Sequence, residues 1–188
     1  MAYFPAFLNM NTSRVLVVGG GNIAQEKIEK LLDFTQNITI IALEVNEKIS
    51  SLVCTYNLTL HQRAYISNDM HNFDIIIVAT NTLALQKKIY QDTRMTRILV
   101  NAVDTSEYCD FIFPSYLQKG DLTVAFSTGG SSPAFTKKMR QYFEHTIPDS
   151  VEYFLQTMKR KRQEIPKGKA RMQYFEKMVD RFFSNSFK

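Results

Sequence analysis

Gly19-Gly20-Gly21-Asn22-Ile23-Ala24 fits the pattern G-x-G-x-x-A. In that pattern Gly19 permits a tight turn, Gly21 lets backbone approach a pyrophosphate, and Ala24 keeps a helix close to its strand. The N–H groups at the start of such a helix carry a partial positive charge that suits phosphate. A lone match of this kind is weak, but here it lies between an apolar run and a helical pattern, the context it requires. Glu44 stands 20 residues after Ala24. An acid at that distance accepts from an adenine ribose hydroxyl and repels a 2′-phosphate, favouring NAD over NADP. It can equally be an ordinary loop acid.

Two further groups carry chemistry. Asp104 follows an apolar strand pattern, where a carboxylate can accept a proton or orient a cationic nitrogen. A loop Asp is also a common turn residue or helix cap. Ser127-Thr128-Gly129-Gly130-Ser131-Ser132-Pro133 offers hydroxyls and flexible backbone ahead of a helix. That loop can bind an anion, or Ser132 can simply cap the helix that Pro133 opens. His61, His71 and His145 are scattered, and no metal motif, nucleophile elbow or P-loop is present.

The elements that must position these groups alternate. Arg14–Val18, Asn37–Ala42, Leu58–Gln62, Asp74–Ala79 and Ile98–Val100 read as strands. Helical patterns at Ile23–Phe34, Val45–Tyr56 and Leu83–Met95 separate them, the last with a polar face. The alternation predicts a doubly wound parallel sheet. After Asp104 the rhythm changes. Phe111–Pro114 and Leu122–Phe126 read as short strands about Gly120-Asp121, followed by helices to Thr146, from Pro148-Asp149-Ser150, and over Lys169–Phe183. The expected organisation is an α/β, Rossmann-type domain over residues 1–113, a small α+β segment over 114–147, and a basic helical segment over 148–188.

The chain has 188 residues and a net charge of +5. The charge is uneven: −2 over Met1–Thr136 and +7 over Lys137–Lys188, densest at Lys159-Arg160-Lys161-Arg162. Such a run is a solvated helix face or an attraction for an acidic partner. The longest apolar stretch, Ile75–Ala79, is far short of the roughly 20 residues that cross a membrane. Met1–Arg14 lacks the features of a secretory signal, and Cys54 and Cys109 lack metal-ligand spacing. Reduced thiols in a cytoplasmic protein are expected.

Taken in order, Phe4-Pro5-Ala6-Phe7, Val17-Val18-Gly19-Gly20-Gly21-Asn22-Ile23-Ala24, Ala79-Thr80, Asn101-Ala102-Val103-Asp104, Phe111-Ile112-Phe113-Pro114-Ser115 and Ser127–Pro133 resemble precorrin-2 dehydrogenase, including the N-terminal module of siroheme synthase. The resemblance covers nearly the whole chain and is weakest after residue 148. It implies oxidation of precorrin-2 to sirohydrochlorin with NAD as hydride acceptor. Asp104 matches the family's catalytic aspartate. Asn22, Ile23, Leu43 and Glu44 match positions that contact NAD, alongside Gly19 and Gly21 of the glycine turn. Ser127, Thr128, Gly129, Gly130 and Ser131 match a region near the tetrapyrrole site. The resemblance also implies a homodimer whose interface is made by about residues 114–147; the residues themselves lead to no expected resident metal. The multiply carboxylated substrate suits basic side chains. With the sequence ending at Lys188, a methyltransferase domain is not expected. A member that also, or mainly, inserts Fe(II) into sirohydrochlorin is the nearer alternative. A non-catalytic NAD-responsive regulator, whose basic tail touches nucleic acid, is the more distant one; no membrane or nucleic-acid partner is expected in the main reading.

Overall fold

The computed structural model describes residues 3–187 and divides them into two compact units. One spans Phe4–Ile112; the other runs from Phe113 onward and includes Tyr3.

The first unit is built on five parallel strands: β1 (Val15–Val18), β2 (Ile38–Ala42), β3 (Thr59–Gln62), β4 (Ile75–Val78) and β5 (Leu99–Ala102). Their order is β3-β2-β1-β4-β5. Val15 to Val18 pair with Ile38 to Ile41 on one side and with Ile75 to Val78 on the other. β1 and β4 are buried at every position, as parallel strands covered on both faces must be. Their β-branched runs suit that pleated, two-sided burial. The helices α1 (Asn22–Leu32), α2 (Glu47–Tyr56) and α3 (Leu83–Thr93) connect the strands. Ala24, Ile28 and Leu31 form the inward stripe of α1, and Ile49 the buried contact of α2. α2 starts two residues later than its apolar pattern suggests. Asn46 takes the cap, its side-chain oxygen accepting from Ile49 N–H at 2.8 Å, and left-handed Asn57 ends the helix.

The order reverses direction between β2-β1 and β4-β5, so the loops after β1 and β4 diverge and open a crevice at the carboxyl ends of the strands. The two edges of the sheet differ. β3 is short and mostly exposed. Beside β5, the chain folds back and Cys109 bridges Asn101 in antiparallel sense.

The second unit carries an antiparallel pair, β6 (Ser115–Lys119) and β7 (Leu122–Phe126), and three helices, α4 (Pro133–Thr146), α5 (Ser150–Glu164) and α6 (Lys169–Ser186). Here the structure corrects the expected strand at Phe111–Pro114. Pro114 has no N–H to give a ladder, whereas Ser115–Lys119 reaches Leu122–Phe126 through the turn at Gly120, whose φ is +57°. α6 continues three residues beyond its expected end. The Rossmann-type sheet, the small antiparallel element and the C-terminal helices are as expected from the sequence.

Candidate functional site

The glycine turn leaves β1 under tight constraint. Gly19 adopts φ +129°, and a Cβ there would stand 2.1 Å from the Ala79 carbonyl oxygen. A Cβ on Gly20 would stand 1.9 Å from the Glu44 carbonyl oxygen. Both glycines are therefore demanded by neighbouring backbone at the ends of β4 and β2. Gly21 is different. Nothing of the protein lies within 4 Å of a Cβ built there, and it is the N-cap of α1 with no side-chain cap. The space in front of Gly21 and the uncapped N–H groups of α1 suit a phosphate.

Asn46 locks this turn, a role that no motif in the sequence marks. Its N–H donates to Gly20 O at 3.0 Å, and its Nδ2 donates to Asn22 Oδ1 at 3.3 Å and Gln25 Oε1 at 3.1 Å. The signal that could have revealed it was a cap-forming Asn just past the second strand.

A cleft of about 740 Å³ opens over the carboxyl ends of the strands. Gly19, Gly21, Asn22, Ile23, Leu43 and Glu44 all line it, so the expected cofactor residues are brought together on one surface. Leu43 is 72% exposed, a large apolar side chain presented at the cleft wall. Thr80, Asn81 and Thr82, after β4, also line the cleft, as do Arg63 and Tyr65, after β3. Arg63 is held by Asp69 through two bonds of 2.7 and 2.8 Å. The Arg63 guanidinium in turn keeps the Asp69 carboxyl below its ordinary range. The cleft lining thus offers one acid, Glu44, and a cation, Arg63, already paired. The size, the open Gly21 cradle and the uncapped helix start fit a dinucleotide.

Asp104 follows β5 and is exposed, in the left-handed region with φ +62°. That conformation is uncommon for a residue with a Cβ and is sustained only by its surroundings. Gln86 supplies part of that support. Thr105 Oγ1 donates to Gln86 Oε1 at 2.6 Å, and Gln86 Nε2 donates to Val103 O at 3.2 Å. Cys109 Sγ donates to Ala102 O at 3.0 Å. Burial pushes the Cys109 thiol up. Lys27, on α1, is pushed below its ordinary range by burial and by Lys30, while Glu26 and Asp104 oppose that shift. The Asp104 charge is therefore felt at Lys27. Further on, Asp110 receives two bonds of 2.7 Å from Arg94 and one of 2.9 Å from Val100 N–H, closing the loop behind Asp104.

In the second unit, Ser132 caps α4 by accepting from Phe135 N–H at 3.2 Å. Thr128 Oγ1 accepts from Ser132 N–H, and Ser127 Oγ accepts from Gly129 N–H. Gly129 and Gly130 both have positive φ. The loop is thus closed by its own hydroxyls and leaves Ser127, Gly129, Gly130 and Ser131 exposed. The three histidines are exposed as well. Among the described residues, no group of three or more His, Cys, Asp or Glu side chains is arranged to hold a metal, and no helix is long and apolar enough to cross a membrane.

A family model described as "Putative NAD(P)-binding" matches residues 6–115. The chain belongs to this family. The family's description names a nicotinamide dinucleotide without separating NAD from NADP. Similarity extends beyond the matched segment. The siroheme synthase of Pseudoalteromonas atlantica is 33% identical over 96% of this chain and 40% of its own length. That of Methylococcus capsulatus is 33% identical over 96% of this chain and 39% of its own. The chain therefore spans about 40% of the length of these relatives. A solved structure titled "SirC, precorrin-2 dehydrogenase" superposes with a TM-score of 0.82 at 25% identity, covering 96% of this chain and 91% of that one. The resemblance to the precorrin-2 dehydrogenase and siroheme synthase N-terminal module family, read from the motifs, is borne out.

Proposed function

We propose that this chain oxidises precorrin-2 to sirohydrochlorin with NAD, in siroheme biosynthesis. The observation that carries the proposal is the likeness, over 96% of the chain, to a structure titled precorrin-2 dehydrogenase. The cleft described above supports it. Gly21 and the α1 N-terminus hold the pyrophosphate, Asn22, Ile23 and Leu43 frame the adenosine half, and Glu44 accepts from the ribose hydroxyls. Glu44 also disfavours a 2′-phosphate, since Arg63 is already engaged by Asp69.

Bound NAD supplies the hydride acceptor. Removing two hydrogens from the macrocycle gives one hydride and one proton, and Asp104 accepts the proton. An exposed carboxylate on a fixed backbone is suited to that role, worth roughly 10²–10⁴-fold in rate. Ser127, Thr128, Gly129, Gly130 and Ser131 bind carboxylate arms of the substrate, and the basic C-terminal segment attracts them. In this proposal the protein is a cytoplasmic homodimer that joins through residues 114–147.

Anaerobic incubation with precorrin-2 and NAD tests the reading. One NADH should form for each sirohydrochlorin; absence of NAD-dependent conversion overturns it. Asp104→Ala should lower kcat by at least about 100-fold with NAD affinity within about twofold. Near-normal rates would remove Asp104 from catalysis. Glu44→Ala should narrow the preference for NAD over NADP. Metal insertion is tested separately by adding Fe(II) or Co(II) to sirohydrochlorin.

A further inference from the structure

We infer that Gln86 is a positioning residue that sets the Asp104 carboxylate and ties its loop to the wall of the dinucleotide cleft. The inference rests on the role proposed for Asp104.

Gln86 lies on α3 and is 4% exposed, an uncharged amide buried on the same helix as Ile89 and Thr93. A buried amide must find partners for two N–H groups and a carbonyl oxygen, or the fold is penalised. Gln86 finds three, all in loops. Nε2 donates to Thr80 O at 2.7 Å and to Val103 O at 3.2 Å, and Oε1 accepts from Thr105 Oγ1 at 2.6 Å. The partners also fix which way the amide points. Both carbonyls need donors, and the Thr105 hydroxyl, donating here, needs an acceptor. Val103 and Thr105 flank Asp104 directly, so one side chain grips the residues on both sides of the left-handed position.

The third bond gives the arrangement its reach. Thr80 follows β4 and lines the dinucleotide cleft, whereas Asp104 follows the neighbouring strand β5. Gln86 therefore joins the loop that would face the cofactor to the loop that carries the acid. Hydride and proton leave one substrate, so the two loops must keep a fixed separation, and small misplacements of reacting groups are costly. A leucine would fill the same space but leave two carbonyls and a hydroxyl without these partners.

Thr105→Val tests the inference with little change of shape, Thr105→Ser serves as rescue, and Gln86→Leu is the stronger variant. Thr105→Val should lower kcat at least about tenfold, move the acid limb of its pH profile, and leave NAD affinity within about twofold. Thr105→Ser should restore kcat to within about twofold of the parent. Independently of catalysis, NMR couplings and chemical shifts of Asp104 should report a single left-handed φ in the parent and averaging in Thr105→Val and in any folded Gln86→Leu protein. Unchanged Asp104 couplings and an unchanged acid limb in Thr105→Val would overturn the inference. If Asp104→Asn keeps kcat within twofold while the couplings respond as expected, the catalytic role of Asp104 fails instead and Gln86 is reduced to a backbone support.

Discussion

The two units hold themselves together by different means. In Phe4–Ile112, Leu16, Ile76 and Val78 have almost no exposed surface on β1 and β4, strands paired on both sides, and Ile89 of α3 and Val100 of β5 are buried with them. In the second unit, few side chains are fully buried; Leu117, Ile147 and Val151 form a small centre ringed by half-buried residues. Aromatic contacts take over there. Phe154 stacks on Phe182 at 4.2 Å and Phe183 on Phe187 at 4.5 Å, while Tyr142 and Tyr153 stay exposed. The difference teaches where precision resides. A sheet buried on both faces gives loops with fixed origins, which is what the glycine turn and Asp104 require. A thin core with exposed aromatic surface leaves area for contact with something else.

The largest expected effect probes the thick core. Ile76→Ala should cost about 4 kcal/mol, against about 2 kcal/mol for Phe182→Ala, by denaturant unfolding. Equal losses would break the contrast. A glycine pair sharpens it. Gly20→Ala forces a Cβ toward the Glu44 carbonyl and should cost about 3 kcal/mol and weaken dinucleotide binding. Gly168→Ala, in the second unit, meets nothing within 4 Å and should change stability by less than about 1 kcal/mol.

Next comes Asp110. Burial alone would push its carboxyl up, but the Arg94 guanidinium and the Val100 N–H outweigh burial and hold it below its ordinary value. A carboxyl lowered on folding stabilises the protein above its unfolded pKa, and that contribution is lost as pH falls through the folded value. Asp110→Ala should thus cost about 2 kcal/mol at pH 7. The gap between parent and variant should shrink as pH falls below about 4, measured by unfolding from pH 7 to pH 3. The smallest effect belongs to the second unit. Asp121→Asn loses an exposed bond of 3.1 Å to Lys159 and should shift stability by under about 0.5 kcal/mol.

What could be read from the sequence follows the same division. Runs such as Val15–Val18 and Ile75–Val78 are legible because burial on both faces removes polar positions altogether. The glycine turn is legible because backbone contact leaves only one residue type. Gln86 was not, although it shares a helical stripe with buried Ile89 and Thr93. Its partners are carbonyls and a hydroxyl in loops, and no pattern of side-chain types announces them. The need for Gly20 is hidden for a related reason: the pattern marks it as any residue, while the Glu44 carbonyl leaves no room for one. In the second unit, Phe111–Pro114 imitates a strand by apolarity, and only the pairing with Leu122–Phe126 moves the strand to Ser115.

The unequal edges of the parallel sheet bear on how the protein survives crowding. An open edge is a template for a stray strand, and proteins that keep one long and apolar risk polymerising through it. Here the β5 side is occupied by the chain's own return through Cys109. The β3 side presents only Thr59-Leu60-His61-Gln62, too short and too polar to recruit a neighbour well, and the Arg63–Asp69 clamp turns the chain aside immediately after it. A dinucleotide cleft built this way can be made in quantity without its scaffold seeding aggregates.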